Sequence, residues 1–114
     1  MEIQQDRVGS VLVVAPSGRV DSTTTETLER ALAAAFDAGE RRLVVDFGGV
    51  SYISSLGLRA LLVAAKRMRE RQGTLVLCGL GDAVRQVFDL AGFLPLFTVD
   101  ATRSSAVARC GPGA

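Results

Sequence analysis

Apolar and polar positions along this chain switch between a continuous-strand pattern and a helical one. Val11-Leu12-Val13-Val14-Ala15 is unbroken and reads as a buried strand over Val8 to Ala15, closed by Pro16. Residues 2–7 can pair with it as an edge strand. Gly18-Arg19-Val20-Asp21 reads as a turn or strand end. Thr23 and Glu26 then have capping-box spacing, and Leu28, Ala31, Leu32, Ala35 and Phe36 follow at helical intervals up to Gly39. Leu43 to Phe47 is a second apolar strand, followed by Gly48-Gly49 as a loop. A second helix opens at Ser54-Ser55, with Leu58, Leu61, Leu62 and Ala65 as its inner stripe and Gly73 beyond its end. Thr74 to Cys78 is a third strand, and Gly79-Leu80-Gly81 turns into a helix capped by Asp82. Val84, Val87 and Phe88 form the inner face of that helix, and Gly92 closes it. Leu96 to Val99 is a last short strand, 102–109 a last helix, and 110–114 a fraying tail.

Strands alternating with helices of this length predict an α/β fold with crossover connections. The hairpin at the start makes the sheet mixed. The expectation is a single domain over 1–109, with four or five strands and helices mainly on one face.

Composition narrows the function classes. Hydrophobic residues make up 48% of the 114 positions, enough to bury a core and too many for a disordered chain. The net charge of +1 supplies no field to steer nucleic acid or an anionic membrane. No apolar run is longer than Ala60 to Ala65, which is far too short to span a bilayer. Residues 1–6 lack the basic start and apolar stretch of a signal peptide, so a cytoplasmic protein is expected. Histidine is absent, which removes the commonest general base and metal ligand. No metal-ligand spacing and no complete phosphate loop occur, so neither metal nor cofactor is expected, and no enzymatic activity. Cys78 reads as a buried strand residue and Cys110 as a free thiol in the tail.

The chemistry that remains centres on Ser54 and Ser55. They stand at a helix N-terminus, where free amides and the helix dipole favour an anion. Either serine can serve as the helix cap, and a serine not used as the cap is left as a phosphate acceptor. Asp21 has a similar double reading, as a cap of the first helix or as part of a surface near Ser55. Asp46, ending its strand, either accepts backbone hydrogen bonds or helps position the hydroxyl. Arg59, Val63 and Lys66 recur at helical spacing on one face of the second helix. That face is either simply solvated or a docking face for an acidic partner, with Val63 at its centre.

Four segments in this order resemble the bacterial anti-sigma factor antagonists, which are stand-alone STAS domains. They are Gly18-Arg19-Val20-Asp21, Val44-Val45-Asp46, Ser54-Ser55-Leu56-Gly57-Leu58, and Val84 to Phe93. The resemblance runs over roughly residues 8–108 and implies that Ser55 is the phosphorylated serine. It implies a partner that is both anti-sigma factor and serine kinase, and a PP2C-type phosphatase that resets the switch. Asp21, Ser54, Leu56, Gly57, Arg59, Val63 and Lys66 are then the candidate partner contacts. Two positions depart from the family pattern: Ser54 stands where the family has Asp, and Leu56 where it has a small residue. These departures support an alternative, a STAS subunit of a signalling or transport complex that is never phosphorylated. A small α/β enzyme or nucleotide-binding protein is the more distant rival.

Overall fold

The computed structural model describes residues 1–111. Six strands form one sheet: β1 (Glu2–Val8), β2 (Val11–Val20), β3 (Arg42–Asp46), β4 (Gly49–Ile53), β5 (Thr74–Cys78) and β6 (Thr98–Asp100). Among the described residues three helices, α1 (Thr25–Asp37), α2 (Ser55–Glu70) and α3 (Asp82–Leu90), lie between strands, and a fourth, α4 (Arg103–Arg109), follows β6. The strand order is β1-β2-β3-β5-β6, with β4 also paired to β2. β1 is antiparallel to β2, and every other pairing is parallel. The sheet is therefore mixed, as the sequence predicts, and has one strand more than the expected four or five.

The extra strand is β4, whose Gly48-Gly49 start reads as loop in the sequence. β2 is long enough to hold two parallel neighbours on one edge. Its Leu12–Val14 segment pairs with β3, and its Ser17–Val20 segment pairs with β4. A turn separates the two neighbours, closed by the Val50 amide donating to the Phe47 carbonyl at 2.9 Å. Pro16 does not end β2, contrary to expectation. It falls at the changeover between β3 and β4, where a missing N–H costs no ladder bond on that edge.

Helices α1, α2 and α3 cover one face of the sheet. Leu28, Leu32, Leu58, Leu61, Val84 and Phe88 pack there on Val14, Leu43, Val45 and Leu77. Phe88 sits edge-on between Phe47 and Phe97, with ring centroids 6.0 and 5.5 Å away. Leu62, expected in this core, is only half-buried. Among the described residues α4 alone covers the other face, setting Ala106 and Val107 on Val11, Val13, Val44, Val76 and Cys78. Arg103 fastens it there, donating to Asp46 at 2.9 Å and to Asp6 at 2.8 Å.

Cys110, expected in a fraying tail, is buried under this second layer, and its carbonyl accepts from Arg42 Nε at 3.2 Å. The rest of the predicted tail, 112–114, lies outside the described residues. Burial raises the pKa of both thiols, that of Cys78 to about 11, so neither is a thiolate nucleophile at neutral pH. The last strand is also displaced. Leu94-Pro95-Leu96 forms a short 3-10 turn, and β6 starts at Thr98.

Candidate functional site

The adjacent parallel strands β2 and β4 end level with each other, Val20 opposite Ile53. Both chains then turn into helices on the same side of the sheet. The Ser54 amide donates to the Val20 carbonyl at 2.8 Å, which ties the start of α2 to the strand end that carries Asp21. Asp21 and the two serines are thus brought to one edge, the carboxyl ends of parallel strands, where α/β folds build their sites.

Ser54 is the cap of α2. Its backbone is extended (φ −89°, ψ 169°), its hydroxyl accepts from the Gly57 amide at 3.3 Å, and its carbonyl accepts from Leu58 at 3.0 Å. Ser55 is therefore the first helical residue. It is exposed, and its hydroxyl has no hydrogen-bond partner among the described residues. No acidic side chain occupies the first turn of α2.

Gly57 explains how closely this helix start sits on the sheet. A Cβ there would lie 2.7 Å from Val20 Cγ1 and 2.9 Å from Ile53 Cγ1, both fully buried. A glycine is the only residue that fits without moving one of them.

The outer surface of α2 continues from Ser55. Leu56 is 49% exposed and Val63 53%, with Arg59 and Lys66 exposed between and beyond them. Residues 56, 59, 63 and 66 are spaced at three and four, so they form one stripe running away from the serine. Two apolar residues alternate there with two cations that make no ion pair among the described residues.

Asp21 holds the loop before α1 rather than a first-turn amide of the helix. Its carboxylate accepts from the Thr23 amide at 3.0 Å and the Thr23 hydroxyl at 2.8 Å. These bonds hold its pKa below the ordinary value, with Arg19, 3.6 Å away, adding to the effect. The helix itself starts at Thr25, so the Thr23–Glu26 capping box does not form; the Thr24 hydroxyl instead donates to the Arg19 carbonyl at 2.6 Å. Likewise Asp82 is the first residue of α3 and Gly81 its cap position. Asp46 gives its carboxylate to Arg103 and to the Gly48 amide at 2.9 Å, which is the backbone-accepting role.

Arg19 and Tyr52 were not singled out by the sequence, and the structure pairs them. The guanidinium lies 4.3 Å from the centre of the Tyr52 ring, directly across the β2–β4 pairing. Their signal was positional: each stands two residues before a candidate site residue, Asp21 and Ser54.

Among the described residues no helix is long and apolar enough to cross a membrane. The model of one domain family matches residues 2–106, almost the whole described chain, and that family is the STAS domain. The chain belongs to the STAS domain family. Over 108 residues this STAS domain is 46% identical to BtrV of Bordetella bronchiseptica, named as an anti-sigma factor antagonist; the match covers 95% of this chain and 93% of BtrV. Its fold superposes on the crystal structure of an anti-sigma factor antagonist from Mycobacterium paratuberculosis with a TM-score of 0.88, at 26% identity, covering 96% and 92% of the two chains. It superposes on unphosphorylated SpoIIAA, also an anti-sigma factor antagonist, with a TM-score of 0.72 at 21% identity, covering 95% and 96%. The mixed sheet, its hairpin start and the helices mainly on one face are thus those of known STAS domains.

Proposed function

We propose that this STAS domain is an anti-sigma factor antagonist whose binding to its anti-sigma factor is switched off by phosphorylation of Ser55. The observation that carries this reading is the division of labour between the two serines. Ser54 performs the structural task, and Ser55 is left exposed at the head of the α2 stripe, its hydroxyl without a hydrogen-bond partner among the described residues. The similarity to named anti-sigma factor antagonists supports the partner class.

In the unphosphorylated form, Leu56 and Val63 offer apolar contact while Arg59 and Lys66 attract an acidic partner surface. The partner is an anti-sigma factor that doubles as the serine kinase, and docking brings Ser55 to its active site. The phosphate adds a charge of about −1.5 to −2 at the head of the stripe. It repels the acidic surface that the cations attracted, and burying it against a partner costs desolvation. A PP2C-type phosphatase removes it and restores binding. The domain receives phosphate and catalyses no transfer, and the pathway is cytoplasmic.

A competition assay tests this. Unphosphorylated protein added to a preformed complex of anti-sigma factor and sigma factor should release the sigma factor in proportion to the amount added. Enzymatically phosphorylated protein should release none. Sigma factor retained in the complex at saturating unphosphorylated protein would contradict the proposal. The half-exposed Leu56 beside Ser55 favours one other reading, a permanent docking subunit. On that reading both forms would bind the partner equally.

A further inference from the structure

The strand order leaves β1 at one end of the sheet, with a neighbour on one side only among the described residues. The other end is the three-residue β6, whereas β1 is seven residues long and pairs with β2 without a bulge. The hairpin decides which of its groups face outward. The two-residue loop Gly9-Ser10 makes Val8 and Val11 a hydrogen-bonded pair, and bonded and unbonded pairs then alternate along the two strands. Ile3 falls opposite Pro16, which has no N–H, in an unbonded pair as the alternation requires. The backbone groups of Glu2, Gln4, Asp6 and Val8 therefore face β2. Those of Ile3, Gln5 and Arg7 face outward, a row of N–H and C=O groups ready to receive another strand.

The devices that usually blunt such an edge are missing from β1. It holds no proline. Its two central charges are turned back onto the chain's own fold: Asp6 accepts from Arg103 at 2.8 Å, and Arg7 pairs with Glu40. Both sides of the strand are open. Gln4 and Asp6 on the α4 side, and Gln5 and Arg7 on the other, are exposed, so neither helix layer overhangs the edge.

A second β1 fits here in the antiparallel sense. A two-fold axis perpendicular to the sheet passes through a residue that faces its own copy. With Gln5 on the axis, Gln5 faces Gln5 and Ile3 faces Arg7 of the second copy, all as hydrogen-bonded pairs, so every outward backbone group of the three residues is used. The aliphatic stem of Arg7 then lies on Ile3, and the Gln4 amide meets the Asp6 carboxylate as a donor, each contact occurring twice. One step to either side fails on charge. With Gln4 on the axis Glu2 would face Asp6, and with Asp6 on the axis Asp6 would face itself; like charges directly opposite are destabilising.

We infer that β1 is an interface between two copies of the chain, joined edge to edge across Gln5 into one continuous sheet. A contact of one strand from each copy is at the small end of specific interfaces, so the dimer is weak, with a dissociation constant on the order of 100 μM. β4, which leads into Ser55, lies on the other side of β2 from β1. The dimer therefore leaves Ser55 and the α2 stripe of both copies open.

Sedimentation velocity on the purified chain, without any partner, tests the inference. Wild type should pass from monomer to dimer as its concentration rises. Because position 5 faces its own copy, Gln5→Lys and Gln5→Glu each set like charges face to face, and each alone should dimerise at least about tenfold more weakly. An equimolar mixture of the two variants sets opposite charges together and should pair to within about threefold of wild type. Gln5 is exposed, and circular dichroism would verify that both variants stay folded. In wild type the amides of Ile3, Gln5 and Arg7 should also gain protection from hydrogen exchange as concentration rises, while those of Gln4 and Asp6 stay unchanged. A wild type that remains monomeric up to about 0.5 mM would overturn the inference. So would a dimer indifferent to the two charged variants, or a mixture of them that stays monomeric. The competition assay above reads partner binding separately, so either idea can fail alone.

Discussion

Replacing Ser55 with Asp should weaken binding to the anti-sigma factor about a hundredfold, while Ser55→Ala should bind within about threefold of wild type. The size follows from placing one negative charge at the head of a stripe whose cations, Arg59 and Lys66, favour an acidic partner surface. A hundredfold corresponds to about 2.7 kcal/mol, within the range for a like-charge contact at an interface. Misfolding cannot produce this pattern. The cap of α2 belongs to Ser54, so neither substitution removes it. The Ser55 hydroxyl makes no hydrogen bond among the described residues, so Ala forfeits none. Aspartate in the first turn of a helix is mildly stabilising, by about 0.3–1 kcal/mol. Ser55→Asp should therefore melt at or slightly above the wild-type temperature while losing its partner. Titration calorimetry with the purified anti-sigma factor reads the affinity. Equal affinities for the two variants would point to the permanent docking subunit.

Gly57→Ala should destabilise the domain, against the ordinary trend for that exchange. In a free helix the change gains about 1 kcal/mol. Here the new methyl would stand 2.7 Å from Val20 Cγ1 and 2.9 Å from Ile53 Cγ1. Neither neighbour can swing aside, because both are fully buried between the sheet and its helices. Overpacking of this kind costs about 1–3 kcal/mol, so the methyl should outweigh the propensity gain. For a domain of this size each kcal/mol lowers the melting temperature by about 4–8 °C. The strain relaxes by lifting the start of α2 off the strand ends, which moves Ser55 and Leu56 together. A loss of partner affinity should accompany the loss of stability. Thermal and urea unfolding measure the first effect, and a melting temperature above wild type would show that the close approach is not as tight as drawn.

Most of the fold was legible because its strands and helices carry distinct periods. The apolar runs at Val11–Ala15, Leu43–Phe47 and Thr74–Cys78 became the three central strands. What the pattern hid has particular causes. β4 is five residues long and begins with glycine, so its strand character comes only from pairing with the far half of β2. Pro16 looked like a terminator because a proline in a sheet is normally excluded, and only the exchange of neighbours along β2 makes room for it. Cys110 sits in a Gly/Pro-rich stretch whose burial depends on α4 reaching the opposite face of the sheet. At the site, the position of the helix start was readable, but not which serine caps it. That choice is set by the Ser54 amide bonding to Val20, a contact between residues 34 positions apart in the chain. The Arg19–Tyr52 stack was invisible for the same reason, since it forms across the β2–β4 pairing.

The central claim, that Ser55 is the phosphate acceptor, is tested most directly by mass spectrometry. The protein would be purified from its native cells under several growth and stress conditions, and the peptide covering residues 43–59 examined for site-localised phosphate. The account predicts phosphate on Ser55, at an occupancy that changes with conditions, and none on the capping Ser54. A peptide unmodified under every condition, or phosphate confined to Ser54, would contradict it.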